Sequence, residues 1–375
     1  MHPRLDISFN AREACQSLKC LFNVPPSRTV MNDLFTGAAV FYYNHARSAL
    51  ADYLEFLHLK PGSRVGVQIL NCVTVFQSIV NAGYKPCFLD ICDDFTLDTG
   101  DLGKKKDKLA ALIVTHTFGN PAAIDEIMRI TPELPIIEDC SHAFLTTVNG
   151  KTAGSIGRAA IFSHGLGKFP SIGDGGFLVL NDKKEFERFT THYQSLACPG
   201  KLVAGKIWSA NALVRIMHHP CLYPLTAAAK RMRKRLNGSS YNYSYKRSKG
   251  YGHNLAMFNF IARKASLARD LQVRNCKLIL SSMGGKNVKY KLGSNGFMCP
   301  VLVQNSEKVE KALYSIGIDI ASHFSDSIAT AGFFGYQKGD CINAETRLGH
   351  YLTVPTYSTY PRKALQEVIS TIKAD

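Results

Sequence analysis

Residues 162–168 read Phe-Ser-His-Gly-Leu-Gly-Lys, and Gly-Asp-Gly-Gly follows at 173–176, ahead of an apolar strand. Lys168 therefore stands among small residues, where neighbouring backbone can approach a bound molecule closely. A lysine becomes a useful nucleophile when its surroundings lower its pKa, as in a Schiff-base lysine. A lysine in a glycine-rich loop is more often solvated than catalytic, so its interpretation depends on the residues upstream.

A carboxylate and an imidazole stand upstream of this lysine. Residues 134–143 read Leu-Pro-Ile-Ile-Glu-Asp-Cys-Ser-His-Ala, which places Asp139 and His142 at the carboxyl end of a predicted buried strand, where open α/β sheets bind ligands. Alone, they would be a capping Asp and a structural His. Together with Lys168 they predict a pyridoxal phosphate site, with Asp139 on the pyridine nitrogen and His142 on the ring or its oxygen.

Three motifs together resemble the DegT/DnrJ/EryC1/StrS sugar aminotransferases, which have the aspartate-aminotransferase-like fold (fold type I). Residues 115–125 are similar to the family's H-x-[YF]-G-[QN]-P-x-x-[ML]-D motif. Residues 137–143 resemble its I-E-D strand, and residues 162–176 resemble its F-S-x-x-x-x-K segment with G-[DE]-G-G. The resemblance runs from about residue 41 to 365 and is strongest over 110–182.

This resemblance implies a role for each matching residue. Lys168 would carry the cofactor covalently and shuttle protons, Asp139 would pair with the pyridinium nitrogen, and Ser163 would bind the cofactor phosphate. His142 occupies the position of the ring-oxygen partner. Related sugar dehydratases carry histidine in place of the lysine, so Lys168 favours transamination over dehydration.

Other positions depart from the family's pattern. Where a helix N-terminus with S-G-T-A-A-L usually cradles the phosphate, Ala46 and Arg47 replace Gly and Thr, and Ser48 follows. The backbone there can still bind an anion, and Arg47 adds charge. The position that usually stacks an aromatic ring on the pyridine falls on Cys72. Asn254 resembles the asparagine that reaches the neighbouring subunit's phosphate, and a plain helix cap is the alternative for it.

Strand and helix patterns alternate along the first half of the chain. Helices are predicted over 46–59, 73–82 and 124–130, and strands over 64–70, 86–91, 109–115 and 135–138. This alternation predicts an α/β fold with a mostly parallel sheet, right-handed crossovers and flanking helices. A long helix from about residue 258 and later strand patterns resemble the family's smaller α+β domain.

Length and composition indicate how many domains the chain can form. A chain of 375 residues that is 46% hydrophobic can bury substantial cores and suits about two domains. We expect a large cofactor-binding domain over 1–195, a basic amphipathic insert over 196–252 and a small C-terminal domain over 253–375.

Cysteine usage and the N-terminus predict a cytoplasmic protein. The eleven cysteines show no C-x-x-C pair and no paired metal-ligand spacing, so free thiols in a reducing compartment and no metal site are expected. Residues 1–24 lack the continuous apolar core of a signal peptide. No stretch reaches about 18 apolar residues, so a membrane span is not expected.

The most basic stretch lies at 201–250, with eleven Lys and Arg and no Asp or Glu, in a chain of formal net charge +16. Apolar pairs stand at 207–208, 213–214, 216–217 and 222–223, and Lys-Arg-Met-Arg-Lys-Arg follows at 230–235. Clustered cations beside amphipathic sequence suit an anionic membrane surface, where each basic residue contributes about 1 kcal/mol. We therefore expect peripheral binding at the inner face of the membrane.

Residues 201–250 also allow other interpretations. One is a solvated basic surface that covers an apolar helical hairpin. Nucleic acid is less favoured: Tyr241, Tyr243 and Tyr245 could stack bases, but the same alternation suits one face of a strand. The diphosphate of a nucleotide-linked sugar is another anionic partner for the Lys and Arg residues of this stretch, although it would need only a few of them.

The sequence thus predicts a homodimeric, pyridoxal-phosphate-dependent aminotransferase. By the resemblance, it would move an amino group from glutamate to a keto sugar carried on a nucleotide, in polysaccharide or glycan biosynthesis. One alternative is a degenerate member that serves as a membrane-associated assembly or regulatory subunit, since the phosphate cradle is altered. Another is a different reaction of the same cofactor, such as elimination or decarboxylation.

Overall fold

The computed structural model describes residues 1–21, 28–229, 246–284, 288 and 290–375. Within these residues the strands form a seven-stranded sheet, a two-stranded sheet and a short hairpin. The strands are β1 (Ala39–Tyr43), β2 (Arg64–Gln68), β3 (Lys85–Leu89), β4 (Leu109–Thr115), β5 (Ile136–Asp139), β6 (Thr147–Val148), β7 (Lys151–Thr152), β8 (Ala159–Ser163), β9 (Gly176–Leu180), β10 (Met298–Leu302) and β11 (Tyr351–Pro355).

The large sheet has the strand order β1-β9-β8-β5-β4-β2-β3. Neighbouring strands from β3 to β8 pair in parallel, whereas β9 runs antiparallel to both β8 and β1. The central strands are apolar along most of their length because helices cover both faces of a parallel sheet. The prediction of a mostly parallel α/β sheet is confirmed.

Helices connect and cover these strands. They are α1 (Ala11–Leu18), α2 (Val30–Leu34), α3 (Ala46–Phe56), α4 (Val73–Asn81), α5 (Thr99–Lys105), α6 (Ile124–Ile130), α7 (Phe186–Gln194), α8 (Lys201–Met217), α9 (Gly252–Ala262), α10 (Ala265–Ser282), α11 (Ser306–Ser315), α12 (Ser327–Gly332), α13 (Ile342–Arg347) and α14 (Arg362–Lys373). The long helix expected from residue 258 is two helices. Most of α9 is buried whereas α10 is half exposed, so no single amphipathic stripe runs through both.

A second apolar cluster lies in the C-terminal part of the chain. It forms where α10, α11 and α14 pack on the antiparallel pair β10 and β11. The first residues of the chain also reach this region, since the His2 amide donates to the Gly317 carbonyl at 2.8 Å. The expected division at residues 195 and 252 stays a prediction.

Candidate active site

The carboxyl ends of β4, β5 and β8 open into a cavity of about 360 Å³. Parallel strands end at the same edge of the sheet, so the loops that follow them meet there. The N-terminal residues of α3 and α4 line the same space. The predicted site residues that line the cavity are Ala46, Arg47, Cys72, Asp139, His142, Ser163 and Lys168.

Two predicted site residues lie outside the cavity lining. The Ser48 side chain is buried in α3, and its amide donates to the His45 carbonyl at 3.1 Å. Asn254 is buried in the first turn of α9, where Nδ2 donates to the Asp174 carbonyl at 3.3 Å. The N-cap of α9 is Tyr251, so Asn254 is not a helix cap. It instead holds the loop that precedes β9.

Asp139 is the last residue of β5 and lines the cavity. In the sheet register it lies opposite Thr115 on one side and Ile161 on the other. Its Oδ1 accepts a hydrogen bond from the Ser141 amide at 3.0 Å. The turn after β5 therefore fixes a buried carboxylate at the strand end, where it can face a cation or a protonated ring nitrogen.

Glu138 points to the other side of the sheet, because successive strand residues alternate. His116 Nδ1 accepts from the Ala122 amide at 3.0 Å, so Nε2 carries the ring proton and donates to Glu138 at 3.0 Å. Three further donors to this carboxylate are the amides of Gly154, Ile156 and Gly157. Burial alone would raise the pKa of Glu138, but these hydrogen bonds hold it below its usual value. Glu138 was not among the predicted site residues.

Lys168 and His142 meet inside the cavity. Lys168 Nζ lies 2.9 Å from His142 Nε2. Burial lowers the pKa of the lysine, although Cys72 and Asp139 act in the opposite direction. Burial also lowers the pKa of His142 well below its usual value, and Lys168 and His323 act in the same direction. The environment therefore favours the uncharged form of both groups.

The His142 ring lies in a cluster of aromatic rings. Its plane is within 11° of the Phe118 ring and 20° of the Phe324 ring, with centroids 6.1 and 5.6 Å away. The centroid of the Phe297 ring lies 5.0 Å from that of His142. Phe324 has a left-handed backbone (φ 66°) and lines the cavity. Phe324 was not among the predicted site residues, because the C-terminal part of the chain carries no motif that points to it.

The N-termini of two helices give one wall of the cavity its polarity. Ala46 and Arg47 form the first turn of α3, and Cys72 is the N-cap of α4. His45 Nδ1 lies 3.0 Å from Asp174 Oδ1, a pair that the sequence did not indicate. Amides at a helix start and a guanidinium both favour an anion, so this wall suits a phosphate group.

Close packing within the protein explains why glycine is needed at two positions that follow Lys168 in the chain. A Cβ on Gly176 would lie 2.3 Å from the Ala46 nitrogen, and one on Gly175 would lie 2.6 Å from Tyr42 Oη. A Cβ on Gly165 would meet nothing closer than 3.8 Å. The expected close approach to a bound molecule thus fits Gly165, whereas Gly175 and Gly176 let the loop pack against β1 and α3.

We predict that Gly176→Ala lowers the free energy of unfolding by about 1–3 kcal/mol, the usual cost of overpacking, because the new methyl would push the start of α3 away. Gly103→Ala is the matched control: Gly103 lies in α5, and a Cβ there would meet nothing within 4 Å. It should be neutral or stabilise the protein by up to about 1 kcal/mol. Urea unfolding of both variants measures this, and equal stabilities would contradict the packing argument.

The basic segment, residues 201–250, is described up to residue 229 and again from residue 246. The basic run at 230–235 and Tyr241, Tyr243 and Tyr245 lie outside the described residues. Among the described helices, none combines the length and apolar composition that crossing a bilayer requires.

Two of the predicted apolar anchors of the basic segment face the protein. Trp208 Nε1 donates to the Ala14 carbonyl at 3.2 Å, and the Tyr223 hydroxyl donates to Asp319 at 2.5 Å. Tyr223 is buried. These side chains dock the segment onto the rest of the chain, so they do not provide a surface for a partner.

The region that holds the site matches a known family. Residues 36–210 match the model of the DegT/DnrJ/EryC1/StrS aminotransferase family. The GDP-perosamine synthase of Escherichia coli O157:H7 is 29% identical over 136 residues, which is 35% of this chain and 37% of that protein. A UDP-N-acetyl-3-dehydro-alpha-D-glucosamine 3-aminotransferase of Acidithiobacillus ferrooxidans is 33% identical over 149 residues, or 37% and 39% of the two chains. The matches thus span under two fifths of these relatives.

Solved structures match almost the whole chain. Helicobacter pylori PseC, an aminotransferase involved in the biosynthesis of pseudoaminic acid, has a TM-score of 0.75 at 14% identity and covers 99% of this chain and 98% of its own. The E. coli GDP-4-keto-6-deoxy-D-mannose-3-dehydratase with bound hydrated PLP has a TM-score of 0.77 at 15% identity, covering 100% and 99%. These matches confirm the predicted fold. The same fold serves an aminotransferase and a dehydratase, so the reaction depends on the residues in the cavity.

Proposed function

We propose that this chain is a pyridoxal-phosphate-dependent aminotransferase, on the basis of the match of residues 36–210 to the model of the DegT/DnrJ/EryC1/StrS aminotransferase family. It transfers an amino group from glutamate to a keto sugar carried on a nucleotide. The observation that carries the proposal is the buried Lys168 amine in one cavity with the Asp139 carboxylate. Relatives named for amino-sugar synthesis support the sugar as the substrate class.

The residues in the cavity fit the cofactor. Lys168 supplies an amine for its aldehyde, and Asp139 supplies a carboxylate for its pyridine nitrogen. The first turn of α3 with Arg47, and Ser163 at the end of β8, supply donors for its phosphate. When bound, the cofactor's ring is an electron sink that stabilises negative charge on the carbon that loses a proton.

The protein's own residues then perform the binding and proton chemistry. As a neutral amine, Lys168 can accept a proton from the substrate carbon and later return it to the acceptor. Asp139 favours a positive charge on the group that it faces, which strengthens the electron sink. Phe118 and Phe324 shield His142, beside the lysine, from water.

The amino-donor half-reaction tests this proposal. Protein loaded with pyridoxal phosphate is mixed with glutamate alone, and the proposal expects one equivalent of 2-oxoglutarate per site, followed by amination when a nucleotide-linked keto sugar is added. Release of ammonia or carbon dioxide instead would favour elimination or decarboxylation. If the loaded protein turned over no amino donor, the proposed enzyme activity would be contradicted, and the result would favour the alternative of a regulatory subunit.

The proposal also covers the oligomeric state and the location of the enzyme. The enzyme acts as a homodimer in the cytoplasm, in which Asn254 of one copy contributes to the phosphate site of the other. In this chain Asn254 already binds the Asp174 carbonyl, which places it behind the loop that lines the cavity. Sedimentation velocity tests the dimer.

The outer face of the basic segment supports the proposed anionic membrane surface. Leu202, Leu213, Ile216 and Leu225 are 85%, 58%, 58% and 66% exposed. The segment contains no acidic residue, so two copies would repel each other through this face, whereas anionic lipid would attract it. The occupant that we propose for the face is therefore an anionic lipid surface.

We predict that the double variant Leu213→Ser, Ile216→Ser binds vesicles of phosphatidylglycerol and phosphatidylcholine at least about tenfold more weakly, because two side chains no longer enter the lipid. Leu267→Ser is the matched control, since Leu267 is 70% exposed on α10, outside the basic segment. Vesicle sedimentation measures binding. Equal binding by all three proteins, or binding to an oligonucleotide in preference to vesicles, would contradict the membrane proposal.

A further inference from the structure

We infer that His142 is a positioning residue that holds Lys168 as a neutral amine by donating a hydrogen bond to its Nζ. The inference deepens the proposed function and rests on it, because a neutral lysine is what both the capture of an aldehyde cofactor and the later removal of a proton require. Contacts to the two nitrogens of one imidazole ring support it.

The first contact decides which ring nitrogen carries the proton. The Phe118 amide donates to His142 Nδ1 at 3.3 Å. A neutral imidazole that accepts at Nδ1 has its proton on Nε2. Nε2 lies 2.9 Å from Lys168 Nζ, so an N–H group of the ring points at the lysine nitrogen. Only the neutral amine has a lone pair to accept it, whereas an ammonium group would present a second donor.

The surroundings of His142 keep the ring neutral. Phe118 and Phe324 pack beside it and against each other, with their own ring centroids 6.0 Å apart, and Phe297 also packs against it. This enclosure excludes the water that would stabilise an imidazolium ion, and Lys168 and His323 disfavour a second positive charge. A doubly protonated ring would also lose the hydrogen bond from the Phe118 amide. His142 therefore acts as a donor that does not titrate near neutral pH.

Other charged and titratable groups line the same cavity or pack beside it. They are His45 and Arg47 at the start of α3, Cys72 at the start of α4, Asp139 at the end of β5, Asp174 before β9, and His323 beside Phe324. Asp139 and Cys72 favour the ammonium form of Lys168. Burial and the hydrogen bond from His142 oppose them, so removal of that bond should shift the balance toward the ammonium.

The chemical consequence is direct capture of an aldehyde at neutral pH. The lone pair of Nζ attacks the aldehyde carbon, a carbon–nitrogen double bond replaces the carbon–oxygen double bond, and the two protons of the amine leave with the oxygen as water. No oxidant or reductant is needed. An ammonium group would first have to lose a proton to a base.

The experiment measures the rate of covalent capture of pyridoxal phosphate by the full chain, followed by absorbance from about pH 6 to pH 10.5. We expect the wild-type rate to fall as the pH is lowered, with a midpoint clearly below the value near 10.4 at which free lysine titrates. His142→Phe should raise the midpoint by about one pH unit and slow capture at pH 7 about tenfold. His142→Gln should restore the wild-type midpoint, since its amide can accept from Phe118 and donate to Lys168.

His323→Gln is the matched control. His323 is a second buried imidazole, with its ring centroid 5.4 Å from that of His142, and its loss should leave the midpoint unchanged. A wild-type midpoint near 10.4 would overturn the inference even if His142→Phe did not fold. A midpoint unchanged in His142→Phe would overturn it and leave the proposed function standing. If Lys168→Ala captured the probe as fast as wild type, both the inference and the proposed function would fall.

Discussion

The variant Lys168→Ala is expected to lose amino transfer almost completely, with kcat/KM reduced by roughly 10³- to 10⁴-fold or more. Lys168 is the residue that both anchors the cofactor and moves the proton in the proposed function. Its amine is buried with a lowered pKa, so no solvent lysine can take its place in the cavity. The measurement is steady-state transfer from glutamate to a nucleotide-linked keto sugar.

Lys184→Ala is the control for this experiment. Lys184 is exposed beside β9, and its loss should leave kcat/KM within a factor of two or so of wild type, as is usual for surface changes. A Lys168→Ala protein that retained a tenth of wild-type activity while folding normally would show that another group performs the chemistry.

Replacement of Glu138 by glutamine is expected to lower the free energy of unfolding by about 2–4 kcal/mol at pH 7. His116 and three backbone amides donate to this fully buried carboxylate. A glutamine offers one oxygen and places an NH₂ group against amide donors, which leaves several of them unpaired. The loop from Gly154 to Gly157, which these bonds hold against β5, should loosen first.

The loss should depend on pH in a defined direction. The pKa of Glu138 is held below its usual value of 4.5, so the folded protein binds the proton more weakly than the unfolded chain. The stability that the carboxylate contributes is therefore present above about pH 4.5 and is lost as the pH falls through its folded pKa. The difference between wild type and Glu138→Gln should shrink below about pH 4.

Urea unfolding between pH 3 and pH 7 measures this difference, with Glu133→Gln as the control. Glu133 is exposed in the turn before β5, so its replacement should change stability by less than about 0.5 kcal/mol. A Glu138→Gln protein as stable as the control at pH 7 would show that the four donors contribute little to the fold.

Local sequence predicted the elements that local forces determine. The helix expected at 124–130 has those bounds, and the one expected at 46–59 ends at Phe56, close to its prediction. Asp139 and Lys168 could be predicted because strand ends meet at one edge of a parallel sheet. Periodicity and spacing are sufficient for such features.

Contacts between distant parts of the chain could not be predicted in this way. Phe324 reaches His142 across 182 residues of sequence, and Gly176 is required by the backbone of Ala46. Trp208 faces α1 although its apolar, basic neighbourhood suggested an exposed anchor. Each of these contacts depends on how separate helices, strands and loops pack together, and the sequence pattern of a single segment does not carry that information.

Borohydride trapping followed by peptide mass mapping tests whether Lys168 binds the cofactor covalently. The protein is incubated with pyridoxal phosphate, reduced with sodium borohydride to fix any covalent link, and digested. We expect one reduced pyridoxyl adduct per chain on the peptide that contains Lys168, absent from Lys168→Ala. An adduct spread over exposed lysines, or none on Lys168, would contradict the assignment of this cavity as the cofactor site.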